Sequence, residues 1–378
     1  GTSYRAPGLY ELYLGNLSSF VSQTSIDPCI QWGQSTNDNI RVVEAALPPT
    51  QGHLNLIRFA ASLDRDGTVN VVVCTQPDEP WCAERVRATE HAIDFELRRR
   101  VQVLHYAERV QQVPRDGDDT DFWVMWTGIL RERGLKGGDY LVASESYGIE
   151  LARHSGARFI PYDFERTVFT CDATSVREDP LGHFEHMVDT FSRLLTQRIT
   201  FFGAESTGKT TLSTAVAGAL DSYLLPEWAR PYLEAVGPEV TDAAMHDIWL
   251  GQRALQHSTQ LLKPRPFIIQ DTDLFSTLGY WEMYDPAHVP ARLADDALAT
   301  KSDLYILCPS DIPFEPDPLR YGGDQRESTD QYWIDLLDRF GLRYATLTSR
   351  DPVSRAEEAT QLARETFDKH TLRYERVR

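Results

Sequence analysis

Short apolar and β-branched runs recur along the chain from Asn39 onward, each followed by a turn or by a stretch with apolar residues at helical spacing. NIRVVEAAL, GTVNVVVC, DYLVASE and ARFIPYD form a first series, and ITFF, SYLL, PFIIQD, DLYILC and RYATL form a second. Near-continuous apolar runs suit strands covered on both faces, so this alternation predicts parallel sheets with helices on either side. Between the two series, HFEHMVDTFSRLL has apolar residues at helical spacing and leads straight into ITFF. The expected organisation is an unassigned segment at 1–38, an α/β domain at 39–178, a connecting helix at 179–197 and a second α/β domain at 198–378. The fold class is α/β, with two doubly wound parallel sheets.

Composition adds limits. A chain of 378 residues exceeds what one hydrophobic core usually organises, in line with two domains. With 42% hydrophobic and 25% charged residues it reads as globular. A formal net charge of -18 argues against nucleic acid as a partner, because a basic footprint supplies most of that affinity. Small phosphate-bearing ligands are compatible with it, since local backbone N–H groups and a few cations hold them. Cys29, Cys74, Cys82, Cys171 and Cys308 are scattered, show no zinc-ligand spacing and read as reduced thiols. Without a basic patch leading into an apolar core, or any run long enough for a membrane span, a cytoplasmic setting with no membrane partner is expected.

Directly after ITFF stands GAESTGKTTLSTAVAGAL (203–220), a P-loop pattern in the strand-to-helix context it requires. Gly203, Ser206, Gly208, Thr210 and Thr211 are the expected nucleotide-binding positions, with backbone N–H groups and a helix N-terminus facing phosphates. Lys209 is the expected catalytic cation on the β/γ oxygens, and the Thr210 hydroxyl the expected magnesium ligand. ATP and Mg2+ follow. PFIIQDTD ends a strand at Asp271, where P-loop proteins place a carboxylate for magnesium, and sets Asp273 at the expected mouth of the substrate cleft.

PEWARPYLE places Glu227 and Arg230 after the next strand, on the edge where doubly wound sheets bind ligands. Glu227 can accept a proton from a sugar hydroxyl and Arg230 can hold substrate, although a solvated helix start accounts for Glu227 as simply. PDPLRYGGDQR (316–326) reads as a lid that brings Arg320 to the transferring phosphoryl group and Arg326 to the nucleotide.

In the first domain, LPPTQGHLN follows the opening strand. Gly52 lets backbone approach phosphates, Thr50 stands at the turn, and His53 can donate to an α-phosphate as charge develops. A histidine capping a helix is the alternative. DATSVR adds Thr174 at a helix start and Arg177 one turn later, a hydroxyl and a cation suited to a triphosphate.

On these residues the chain resembles the bifunctional nicotinamide-mononucleotide adenylyltransferase and ribosylnicotinamide kinase (NadR-type) family, from about residue 40 to the C-terminus. The resemblance rests on TQGH, on VASE ending at Glu145, on DFER at 163–166 and on ATSVR. In the second half it rests on GAESTGKT, PEWARPYLE, LGQRALQ and QDTDLFST. It implies a Rossmann-like nucleotidylyltransferase domain followed by a P-loop kinase domain. The second would phosphorylate nicotinamide riboside to nicotinamide mononucleotide (NMN). The first would join NMN to AMP from ATP, giving NAD and pyrophosphate, with magnesium in both steps. It further implies Glu145 and Arg166 as substrate-binding residues, and it leaves homo-oligomerisation open.

Two motifs depart from the family pattern. Glu44, Ala45 and Ala46 stand where Gly-x-Phe is usual, and Asp172 replaces the serine that opens the second motif. Two like unit charges about 6 Å apart in an effective dielectric near 20 repel by about 3 kcal/mol, so both residues bear on triphosphate binding. A kinase whose first domain only senses NMN or NAD, and a kinase for another nucleoside, are the competing readings. No helix-turn-helix pattern appears before residue 38.

Overall fold

The computed structural model describes residues 39–112, 114–115, 119–312 and 326–374, with side chains from 329 onward in the last stretch. The segment 1–38 and most of the expected lid, Arg320 included, lie outside the described residues.

The first sheet has five parallel strands in the order β3-β2-β1-β4-β5: β1 Ile40–Glu44, β2 Val69–Cys74, β3 Val101–Tyr106, β4 Tyr140–Ala143 and β5 Arg158–Pro161. All of VNVVVC in β2 is buried, which is why that run carries almost no polar residue. Helices α1 Gln51–Leu63, α2 Cys82–Ala92, α3 Thr120–Glu132, α4 Tyr147–Ser155 and α5 Ala173–Glu178 complete this half. Chain order reverses between β1 and β4, and open α/β sheets form a ligand crevice at such a switch, beyond the strand C-termini.

The second sheet is also parallel and five-stranded, in the order β10-β9-β6-β8-β7: β6 Gln197–Phe202, β7 Tyr223–Leu225, β8 Phe267–Asp271, β9 Leu304–Leu307 and β10 Tyr344–Thr346. Its helices are α7 Lys209–Ala219, α8 Ala229–Val236, α9 Asp242–Ser258, α10 Leu274–Tyr284, α11 Ala291–Ala299, α12 Arg326–Arg339 and α13 Pro352–Thr366, with α6 Asp189–Leu195 just before the sheet. The switch here falls at β6, whose C-terminal end leads into the P-loop.

The expected connecting helix over 179–197 is not one helix. It is a 3₁₀ turn, Phe184–His186, then extended backbone at Met187 and Val188, then α6. Tertiary pairing overrides the helical spacing: Met187 forms a β-bridge with Thr50, and the Val188 N–H donates to the Pro49 carbonyl at 3.0 Å. These bonds attach the junction to the turn before α1. Phe184, Met187, Val188, Phe191 and Leu195 are buried in a cluster that also contains Leu54, Ala88 and Val176 from the first half and Ile199, Val216 and Phe267 from the second. Burying each large apolar side chain contributes about 1.5–3 kcal/mol, so the junction is a hydrophobic core in its own right. Thr190 Oγ1 donates to the Ala88 carbonyl at 2.6 Å, and Trp81 Nε1 reaches Thr371 Oγ1 at 3.1 Å.

Candidate active sites

The P-loop cavity has a volume of about 540 Å³ and is lined by Ser206, Gly208, Lys209, Thr210 and Thr211 together with Glu227 and Arg230. Backbone chemistry fixes its shape. Gly203 has φ +127°, and a Cβ there would lie 2.7 Å from the Cys308 carbonyl oxygen, so only glycine fits the turn against the end of β9. Gly208 opens α7 at φ +83°. Lys209 Nζ donates back to the carbonyls of Gly203 at 3.0 Å and Ala204 at 2.6 Å, which holds its charge over the loop.

Asp271 ends β8 almost fully buried, and the Thr210 hydroxyl hydrogen-bonds to its carboxylate. Burial raises its pKa above the usual range, against the pull of Thr210, Lys209 and Arg230. Its Oδ1 is buried with no hydrogen-bond partner among the described residues. An orphaned carboxylate oxygen beside a threonine hydroxyl is the hard-oxygen donor set that magnesium takes, so these two residues fit the implied cation.

Asp273 corrects an expectation. Set at the cleft mouth from sequence, it is 1% exposed and caps α10 instead. Its Oδ1 accepts from the N–H groups of Phe275 at 2.9 Å and Ser276 at 3.3 Å, and Oδ2 accepts from the Tyr305 hydroxyl at 2.7 Å. Burial pushes its pKa up to about 6. The acidic residue after a strand reads alike for a cap and for a ligand contact, and here the helix N-terminus takes one oxygen and Tyr305 the other. Of Arg326, only its place at the start of α12 is described.

Sequence reasoning missed two other cations on this cavity. Arg350 and Arg355 line it from the start of α13. Arg355 is 2% exposed and its Nη1 donates to Asp311 Oδ1 at 2.9 Å and to the Ser349 carbonyl at 3.3 Å. The available signal was Asp351 followed by Pro352, a helix-start pattern that places Arg355 one turn inside. Away from the phosphate loop the lining turns apolar and aromatic, with Met245, Ile248, Tyr280 and Tyr284, as a flat ring requires.

The second cavity, about 500 Å³, lies in the first half and brings together Thr50, Gly52, His53, Glu145, Arg166 and Thr174. Thr50 caps α1 reciprocally with His53. The His53 N–H donates to Thr50 Oγ1 at 3.3 Å, while the Thr50 N–H donates to His53 Nδ1 at 3.0 Å. Nδ1 is thus an acceptor, which puts the proton of the neutral ring on Nε2. Arg166 donates to Glu145 at 2.5 Å, so the two expected substrate residues form a pair. Arg177 donates to Thr174 Oγ1 at 2.8 Å and to the Leu47 carbonyl, fastening α5 to the turn before α1.

Both unusual acids line this cavity. Asp172 acts as the cap of α5, where its Oδ1 accepts from the Ser175 N–H at 2.7 Å and from the Ser175 hydroxyl at 3.0 Å. Burial alone would raise its pKa, and these bonds, with Arg166 nearby, more than offset that and hold it below the usual value. Glu44, at the end of β1, is 5% exposed and neither carboxylate oxygen has a hydrogen-bond partner among the described residues. Burial pushes its pKa up to about 8, so at neutral pH it is mostly an uncharged acid.

Comparison with known proteins agrees with this layout. Residues 198–355 match the AAA domain family. The chain is 22% identical over 333 residues to the trifunctional NAD biosynthesis/regulator protein NadR of Escherichia coli (strain K12), covering 84% of this chain and 80% of that protein. It is 21% identical to the protein of the same name from Salmonella typhimurium, covering 86% and 83%. A crystal structure of NadR in complex with NR covers 87% of this chain and 96% of its own at 20% identity and a TM-score of 0.57. One in complex with NAD and AMP-PNP covers 90% and 98% at 21% identity and a TM-score of 0.60. No helix of the described residues is long and apolar enough to cross a membrane. Over more than four fifths of its length, therefore, the chain is similar to the NadR-type proteins whose motifs its sequence carries.

Proposed function

We propose that the chain is a bifunctional NAD-salvage transferase that phosphorylates nicotinamide riboside in the P-loop cavity and transfers adenylate from ATP to NMN in the other. The observation that carries this reading is the presence of both cavities in one chain, one lined by Lys209 and by Thr210, which is hydrogen-bonded to the buried Asp271, and one with the Thr50–His53 turn. The fold it shares with NadR structures bound to NR, NAD and AMP-PNP supports it.

In the kinase half, the P-loop N–H groups and Lys209 bind the β/γ phosphates and hold them in line with the acceptor. The aromatic end of the cavity receives the nicotinamide ring, Arg230 orients the riboside and Glu227 accepts the proton leaving its 5′-hydroxyl. Thr210 and Asp271 would hold magnesium, which would supply neutralisation of phosphate charge. In the other half, Nε2–H of His53 donates to the α-phosphate as NMN attacks, and Thr174 orients the triphosphate, with Glu145 and Arg166 on the NMN side.

Glu44 favours a second reading, in which the first half binds NMN or NAD without turning them over and the chain is a kinase with a sensing domain. Incubation with ATP, magnesium and either nicotinamide riboside or NMN, with chromatographic separation of products, distinguishes the two. NAD from both substrates supports two active sites. NMN accumulating from the riboside, with no NAD from either, supports the sensor, and faster phosphorylation of uridine or a deoxynucleoside would move the kinase to another substrate.

A further inference from the structure

Cys171, His183 and His186 show no metal-ligand spacing in the sequence, yet the fold gathers them. The Cys171 thiol and one nitrogen of each imidazole all lie within 4.8 Å of one another. Cys171 immediately precedes the α5 cap residue Asp172. His183 caps a 3₁₀ turn that ends at His186, and in such a turn residues three apart stand on the same side. The imidazole planes are 45° apart with centroids at 5.8 Å, and neither ring forms a hydrogen bond among the described residues. Phe184 and Met187, both buried, hold the turn in the junction core, so the two histidines are presented on fixed backbone.

We infer that Cys171, His183 and His186 form a binding site for a borderline-soft divalent cation of the zinc type, bracing the junction beside the second cavity, which Cys171 lines. A tetrahedral ion bound at about 2.0–2.1 Å to nitrogen and about 2.3 Å to sulfur needs ligand atoms about 3.3–3.6 Å apart, a side-chain adjustment away from the observed spacing. All three residues are partly exposed, which leaves a path for the ion. A thiol with two imidazoles selects zinc or cobalt over magnesium, which takes oxygen ligands. Binding replaces the thiol proton: Cys171–SH and the dication give the metal thiolate and one released proton. Three protein ligands leave one tetrahedral position for water. Closing the loop from Cys171 to His186 ties both ends of α5, and with it Thr174 and Asp172, to the junction.

Cobalt(II) titration of the full chain in excess magnesium tests this, because magnesium occupies the oxygen sites and a tetrahedral sulfur-nitrogen site has intense visible bands and a near-ultraviolet sulfur-to-cobalt band. The expected result is one equivalent of cobalt with both features, displaced by zinc, and a zinc-dependent rise in melting temperature. Cys171→Ser should lose the sulfur band, and His186→Ala should weaken cobalt binding at least tenfold, each with an unchanged circular-dichroism spectrum. Weak oxygen-site absorption alone in the wild type would overturn the assignment. So would a sulfur band that persists in Cys171→Ser, which would place the metal on another thiol such as Cys82. Should either variant misfold, zinc-dependent stabilisation of the wild type and its suppression by alkylating Cys171 give the same discrimination.

Discussion

The Thr50 N–H donates to His53 Nδ1 at 3.0 Å, which makes the histidine both the reciprocal partner of the Thr50 cap and a ring with a defined tautomer. The two readings left open by the sequence, a capping histidine and a catalytic one, are therefore compatible: one nitrogen caps, and the other carries the proton that a phosphate oxygen would accept. His53→Ala should lower NAD formation from NMN by about 10²- to 10³-fold. His53→Asn, which keeps a side-chain acceptor for the cap, should retain the melting temperature but not the rate. Unchanged turnover in either variant would remove His53 from the chemistry.

Lys209 bonds to loop carbonyls on the cavity of the second half, away from the Thr50–His53 turn. Lys209→Ala should abolish riboside phosphorylation while NAD formation from added NMN stays within about twofold. Loss of both activities in a folded protein would mean that the two cavities are coupled.

Glu44 makes stability depend on pH with a definite sign. Its carboxyl binds a proton up to about pH 8 in the folded chain, against about 4.5 for the ordinary group. Between those values the folded state holds the extra proton, so stability falls as pH rises, by about 1.4 kcal/mol per unit at most, and levels off above pH 8. Glu44→Gln should flatten this slope, with its advantage over wild type growing from pH 5 to pH 8 in denaturant midpoints. Parallel curves for the two proteins would show that Glu44 titrates normally.

Asp172 caps a helix where the family carries serine. Asp172→Ala should cost about 1 kcal/mol of stability, whereas Asp172→Ser should keep the cap and relieve the negative charge beside the cavity. The serine variant is expected to lower the KM for ATP in adenylyl transfer. An unchanged KM would show that the cap bonds already keep the carboxylate away from the triphosphate.

Most strands were readable because central parallel strands must be apolar on both faces. β3 was not, since VQVLHY lies at a sheet edge and exposes Gln102 and His105. The P-loop was readable because its glycines answer to backbone constraints that leave no choice of residue. Asp273 and the junction were misread for a shared reason: local pattern does not reveal which long-range partner will claim a carboxylate or a backbone N–H. Cys171 and the histidines meet across α5 and the 3₁₀ turn, with the β-bridge at Met187 immediately after, a juxtaposition that sequence spacing cannot express.

The apolar junction also governs how the protein can be dissected. Residues 38–378 form one compact unit. Scission ahead of residue 197 would take from the cluster of Met187, Phe191 and Leu195 the members that the second half supplies and leave each fragment with an adhesive face. Limited proteolysis should therefore yield fragments that remain associated under native conditions, and a gene for either half alone should give an aggregating product unless the apolar face is redesigned.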